Sequence, residues 1–173
     1  MAKLRSGRCY RTVKRPFTRK SKKQSKSYAR GVPGLRIAKF EVGDTKGTFT
    51  HSVHMVSKDH IQLRHNSLEA ARLAINRYVS KNVGKDAFHL IVRSYPHHIL
   101  REHKIMSGAG ADRLSSGMQK AYGKPAGTAA QVRPGQEIMT IKVNEAGVAK
   151  AKEAIKVAGK KLTARTGYKV VKN

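Results

Sequence analysis

The placement of charge limits what this 173-residue chain can fold into more than any other feature. Residues 1–40 hold 14 lysines and arginines and no acid, and the first carboxylate is Glu41. Self-repulsion at that density opposes collapse. The apolar residues of the stretch (Leu4, Tyr10, Val13, Phe17, Tyr28) are sparse and without period. Low hydrophobicity combined with high charge leaves such a segment disordered until a partner neutralises it. The expectation is a basic arm over 1–35, densest at Arg19-Lys20-Ser21-Lys22-Lys23, attached to a single domain over 36–173.

The remainder is basic too, with 23 lysines and arginines against 10 acids, and the whole chain carries +27. Each basic group set on a phosphate releases condensed counterions, so a polyanion is the natural partner. A balance this far to the basic side marks a nucleic-acid binder rather than a merely soluble surface. The run at 19–23 also fits a nuclear-localisation or heparin-type patch. The one cysteine, Cys9, excludes an internal disulfide and fits a reducing compartment. No apolar run reaches membrane-spanning length. The basic N-terminus lacks the apolar stretch of a secretory signal, and its lysines, Pro16 and Gly7 depart from an amphipathic transit helix. A cytoplasmic protein with no membrane partner is expected.

Past Pro33-Gly34 the pattern becomes globular. Alternation over 36–42 predicts a strand with Ala38, Phe40 and Val42 on one face and Ile37, Lys39 and Glu41 on the other. A turn at 43–47 precedes a second strand over 48–56, with Phe49, Val53 and Met55 on one side. The period then changes to that of a helix. Asn66 reads as its cap, with Glu69 three positions on in the manner of a capping box. Leu68, Ala71, Ile75 and Val79 form its buried stripe, and Gly84 ends it. A strand over 88–95 presents Phe88, Leu90 and Val92. Residues 96–127 show no period, and irregular stretches of that length are usually functional or disordered. Strands near 128–133 and 136–143 flank a turn at Pro134-Gly135. Asn144 caps a second helix with the stripe Val148, Ala151, Ile155, Ala158 and Leu162, and a strand near Tyr168–Val171 follows. Two helices on one face of a mixed or antiparallel sheet, an α+β two-layer sandwich, is the natural packing.

Sites of chemistry are scarce. The histidines His97, His98 and His103 lie close in sequence but lack cysteine partners and have one nearby acid, Glu102, so no metal is expected. Gly108-Ala109-Gly110 has neither the dinucleotide spacing nor a Walker ending. Ser107, Ser115, Ser116, Asp112 and His103 match no nucleophile motif. No catalytic residue, cofactor or enzyme activity is expected. Few aromatics and no tryptophan argue against base stacking, and no RRM, KH or zinc-finger signature occurs. Recognition of structured RNA by shape and phosphate remains.

The string Ala111-Asp112-Arg113-Leu114-Ser115-Ser116-Gly117-Met118, then Ala121-Tyr122-Gly123-Lys124-Pro125, Gly127 and Ala130, resembles the signature of the archaeal and eukaryotic L-ten-e family of large-subunit ribosomal proteins, counterpart of bacterial L-sixteen. Ser67-Leu68-Glu69-Ala70-Ala71-Arg72 is similar to the family's first helix, Arg93-Ser94-Tyr95-Pro96 to the strand end before its functional loop, and Val132-Arg133-Pro134-Gly135 to its hairpin. The arm, with residues 15–19 and Arg30-Gly31-Val32-Pro33-Gly34, resembles the archaeal and eukaryotic form. Gln119 and Gln131 depart from it, standing where the family commonly has a basic residue.

The resemblance implies a hammerhead-like α/β sandwich in the large ribosomal subunit, near the peptidyl-transferase centre and the aminoacyl-tRNA corridor. It implies large-subunit rRNA, aminoacyl- and peptidyl-tRNA, neighbouring ribosomal proteins and a subunit maturation or export adaptor as partners, with roles in translation and late assembly. Under it, Arg5, Arg8, Arg11, Arg15, Arg19, Lys20, Lys22, Lys23 and Arg30 screen rRNA phosphates, and Lys120 and Lys124 anchor the base of the loop, about 97–127. Arg101, Lys104, Ser107, Gly108, Gly110, Asp112 and Arg113 lie on the tRNA side. Arginine suits the arm because its planar fork binds phosphate oxygens in pairs. Two other classes remain open: a general nucleic-acid chaperone, which would show no preference for structured rRNA, and an RNA-modifying enzyme, which would show turnover with a cofactor.

Overall fold

A computed structural model describes residues 5–13, 21–27, 29, 31–104, 108–111, 113–114, 117–118 and 122–173. The strands are β1 (Glu41–Gly43), β2 (His51–Ser57), β3 (Ile61–Arg64), β4 (Phe88–Val92), β5 (His98–Glu102), β6 (Lys124–Val132), β7 (Glu137–Val143) and β8 (Thr166–Lys172), with helices α1 (His65–Asn82) and α2 (Val148–Gly159). The α+β class holds. The single expected sheet, however, is two sheets. One has the order β1-β4-β7-β2-β8 and the other β3-β6-β5, and every strand pairing in them is antiparallel.

The division comes from one corner of the molecule. Residues 58–60 carry the chain from β2 to β3, and residues 133–136 carry it from β6 to β7, each time from one sheet to the other. At 133–136 a tight turn forms, with the Gln136 amide donating to the Arg133 carbonyl at 3.1 Å. Gly135 sits at φ +80, the conformation such a turn requires after a proline. Ser57 intervenes: its carbonyl accepts the Gly135 amide at 2.8 Å and its amide donates to Gln136 at 3.0 Å. The turn read from Pro134-Gly135 is therefore present, but β7 pairs with β2 and β4 and not with β6. Asp59 fixes the same corner, accepting from the Arg165 amide at 2.9 Å and from its guanidinium at 2.8 and 3.0 Å. These hydrogen bonds hold the Asp59 carboxyl below its ordinary pKa.

α1 forms from its expected stripe; α2 does so from Ala151, Ile155 and Ala158, with Val148 partly buried and Leu162 buried beyond the helix end at Gly159. Leu68, Ala71, Ile75 and Val79 are fully buried, as are Ala151, Ala154 and Ala158, with Ile155 close to it. A buried Leu, Ile or Val contributes about 1.5–3 kcal/mol. The two helices pack on each other. α1 also meets β3, β4 and β6, and α2 meets β2, β7 and β8. Val53, Met55, Leu90, Met139 and Ile141 supply the sheet side of this core, with Leu63, Ala130 and Val132 from the smaller sheet.

Several local readings are corrected. Asn66 does not cap α1: β3 pairs with β6 as far as Arg64, so the chain passes straight from strand into helix and Arg64 takes the cap position. Glu69 faces Arg72, whose guanidinium donates to both carboxylate oxygens. Of the first expected strand, 36–42, only its last two residues enter β1, and Ile37 is buried while Ala38 is exposed. Phe40 and Val42 keep the expected face against the core, and Ile37 and Ala38 depart from the alternation because this part of the connector hangs on α1. The Arg36 amide donates to His65 Nδ1 at 3.3 Å, and Glu69 accepts the Ala38 amide. Asn144 precedes a short 3-10 turn, so α2 starts later, at Val148, and neither helix has a side-chain cap. The irregular stretch 96–127 contains β5 and the start of β6, which shortens the loop to 103–123.

Candidate nucleic-acid interface

The N-terminal segment does not stand clear of the domain. Residues 5–12 lie along β3, which the sequence reading missed because four residues show too little alternation. Gln62, 5 % exposed, is the centre of the attachment. Its amide donates to the Arg11 carbonyl at 3.0 Å, and its Nε2 donates to the Tyr10 and Thr12 carbonyls at 3.3 and 2.8 Å. Arg64 donates to the Arg5 carbonyl at 2.8 Å. Protein donors thus occupy the segment's carbonyls, leaving the side chains of Arg5, Arg8 and Arg11 exposed. Arg5 approaches Glu102 at 3.5 Å, and Arg11 approaches Asp59 at 4.0 Å. The two arginine side chains are about half exposed, at 48 and 51 %, so a phosphate can compete with the carboxylate for the guanidinium.

The β5–β6 hairpin supplies the second part. Its ladder shifts register between Leu100 and Arg101, and Glu102 stands opposite Lys124. Above that rung the Arg101 guanidinium donates to the Tyr122 carbonyl, and the His103 and Tyr122 rings meet edge to face at 5.0 Å. Partial burial lowers the Arg101 pKa from its usual value, but a guanidinium stays charged in a protein. Gly123, at φ +103, closes the neck. A Cβ there would lie 2.9 Å from Met118 and 3.2 Å from the Glu102 carbonyl. Beyond the neck, Ala111 donates to the Gly108 carbonyl and Arg113 to that of Gly110, a pair of successive turns. Lys104, Arg113, Leu114 and Met118 are exposed, Leu114 by 74 %. A Cβ at Gly108, Gly110 or Gly117 would meet nothing within 4 Å.

These two parts meet. The Tyr10 hydroxyl donates to the Arg101 carbonyl at 3.5 Å, and Arg5 pairs with Glu102 in the same strand. Burial, with Glu102 next, raises the Tyr10 pKa, so the phenol keeps its proton. Arg5, Arg101 and Lys124 are thereby gathered at the hairpin neck, which no local sequence signal could have shown. Lys22 and Lys23 are exposed beside a 3-10 turn at Gln24–Lys26. Arg15, Arg19, Lys20, Arg30, Ser107, Asp112 and Lys120 lie outside the described residues.

Many of the acids among the described residues are committed to internal pairs. Besides Asp59, Glu69 and Glu102, Glu137 approaches His54 at 3.2 Å and Arg93 at 4.0 Å, and Glu153 accepts from Tyr78 and Lys150. The outward field is correspondingly positive. Among the described residues no three histidine, cysteine or acidic side chains converge as a metal site would require. His98 lies on β5, and burial followed by His97 lowers its pKa. No described helix is long and apolar enough to cross a membrane.

The family model described as ribosomal protein L16p/L10e matches residues 14–169. The large ribosomal subunit protein uL16 of Staphylothermus marinus is 45 % identical over 172 residues, covering 98 % of this chain and 95 % of that one. Those of Methanocella arvoryzae and Archaeoglobus fulgidus are 46 % and 43 % identical, covering 95 % of this chain and 92 % and 91 % of theirs.

Proposed function

This chain belongs to the ribosomal protein L16p/L10e family, and from that membership we propose that it is a structural constituent of the large ribosomal subunit that binds large-subunit rRNA. The arm supplies phosphate contacts, and the β5–β6 hairpin reaches toward the acceptor arm of aminoacyl- and peptidyl-tRNA near the peptidyl-transferase centre. The protein takes no part in the chemistry of peptide-bond formation. It joins late in subunit maturation, beside neighbouring ribosomal proteins and a maturation or export adaptor.

One observation carries this reading: the attachment of residues 5–12 to β3 and to the hairpin neck. It brings the exposed Arg5 beside Arg101 and Lys124 at the hairpin neck. Such a cluster can hold rRNA phosphates while the tip, with its open glycines and exposed Lys104 and Arg113, stays beyond them. Phosphate contacts of this kind set position and orientation rather than sequence. Shape recognition of this kind suits folded RNA, whose deep major groove side chains cannot read.

The test is sedimentation of a cell lysate through sucrose, blotted for the protein, with and without a high-salt wash. Salt-resistant comigration with large subunits is expected. Sedimentation at the top of the gradient, or equal association with DNA and RNA, would show a general nucleic-acid binder instead.

A further inference from the structure

β8 closes one side of the five-stranded sheet. Along its whole length it pairs with β2, from Thr166 opposite Ser57 to Lys172 opposite His51, without a bulge. Among the described residues it has no second strand neighbour. Its other edge therefore presents a regular row of backbone N–H and C=O groups, which invites pairing with another chain. Three large apolar side chains lie along it, Tyr168 at 48 % exposure and Val170 and Val171 at 36 and 37 %. Tyr168 and Val170 share the core-side face, opposite Met55 and Val53. With Val148 and Lys152 of α2 they line an open cleft of about 550 Å³. Lys152 stands 5.8 Å from the Tyr168 ring centre.

We infer that the β8 edge and its cleft with α2 form a docking surface for an extended, acidic segment of a neighbouring protein, which adds to the sheet as a further strand. The assignment rests on two features together. The free ladder needs a partner with its own peptide groups, and the cleft, where Val148, Tyr168 and Val170 lie among Lys152, Lys156 and His51, takes both apolar and acidic side chains, which a β-strand offers and a nucleic acid does not. The charge then selects among strands. Lys169 and Lys172 lie on the strand, and Lys152 and Lys156 line the cleft. Of the acids there, Glu153 is already taken by the Tyr78 hydroxyl and Lys150, which leaves Glu145 at the margin. A second copy of this chain would set like charges against one another along the edge, which is how basic edge strands avoid self-association. An acidic segment meets four lysines with opposite charge.

The inference rests on the subunit membership proposed above. The experiment places the photoreactive residue p-benzoylphenylalanine at Tyr168 or at Val170, isolates large subunits carrying the protein, and identifies the conjugates by mass spectrometry. Conjugation to an extended segment of a neighbouring protein, richer in acids than in lysine and arginine, is expected at both positions. The doubly reversed Lys152→Glu/Lys156→Glu protein should enter subunits normally and give at least fivefold less conjugate. Lys156 is exposed and Lys152 half-buried, and neither belongs to the buried stripe of α2, so thermal unfolding close to that of the wild type accompanies this result. A conjugate to rRNA overturns the inference, as does absence of any conjugate at both positions, or a yield unchanged by charge reversal. A protein absent from large subunits altogether would instead refute the proposed function.

Discussion

Replacing Glu69 tests the connection between the domain core and the root of the arm. Its carboxylate takes two hydrogen bonds from Arg72, one at 2.8 Å, and also accepts the Ala38 amide of the connector. The Arg72 side chain is only 7 % exposed and that of Glu69 15 %. Glu69→Ala leaves a buried guanidinium without a counter-charge, which destabilises by about 3–5 kcal/mol. In a domain of this size that lowers the melting temperature by about 6–20 °C. Replacing both partners by apolar residues of similar volume, Glu69→Leu with Arg72→Met, removes the unpaired charge. The remaining loss is the acceptor for Ala38, about 1 kcal/mol. Urea unfolding followed by circular dichroism measures all of these, with an unchanged dependence on urea expected. The pH dependence gives a second readout. Hydrogen bonds from Arg72 hold the Glu69 carboxyl below its ordinary value in the folded state. Its contribution is therefore complete above the unfolded carboxylate range, about pH 4.3, and is lost as pH falls through the depressed folded value. The acid limb of the wild-type stability profile should be steeper than that of Glu69→Ala. A loss under about 1 kcal/mol for Glu69→Ala, or a double variant as weak as the single one, would refute the argument from the buried charge.

Other outcomes are expected. Replacing Arg15 and Arg19 with alanine should reduce the slope of log affinity against log salt for structured rRNA by about 1 per phosphate contact removed, and an unchanged slope contradicts that role for them. Exchanging residues 104–122 for a short turn should leave thermal unfolding and rRNA binding nearly as they are while tRNA binding to the subunit falls. Failure of that variant to join the subunit would show that the tip serves assembly. Burial first, then Arg36 and Arg64, lowers the His65 pKa. Its neutral Nδ1 accepts the Arg36 amide. The contribution of His65 is thus whole above about pH 6.5 and declines as pH falls toward the depressed folded value. A His65→Gln protein should therefore lose less melting temperature than wild type between neutral and mildly acid pH, and parallel curves would refute this.

The sequence by itself determined the features that depend on composition and short-range period. The concentration of charge before Glu41 marks residues 1–40 as the most basic part of the chain. The stripes of α1 and α2 and the faces of β2 and β4 repeat often enough to be counted: Leu68, Ala71, Ile75 and Val79, Ala151, Ile155 and Ala158, Val53 and Met55, and Phe88, Leu90 and Val92 are buried, while Val148 is partly so and Leu162 lies past the end of α2. The family resemblance was legible for a related reason, since its motifs run in order along the chain. Tertiary structure decided what depends on partners distant in sequence. β6 and β7 read as one hairpin because a turn is local. Their separation into two sheets depends on Ser57, some eighty residues away, occupying the turn. β3 is too short to announce itself and exists because β6 pairs along it and residues 10–12 hang on Gln62. The site shows the same division. Its charges are visible in the sequence, but the meeting of Arg5, Arg101 and Lys124 at one neck follows from hydrogen bonds that join residues 5–12 to β3 and β5. Local pattern fixes which face of an element is apolar, whereas the order in which elements meet is set by long-range pairing that no single segment encodes.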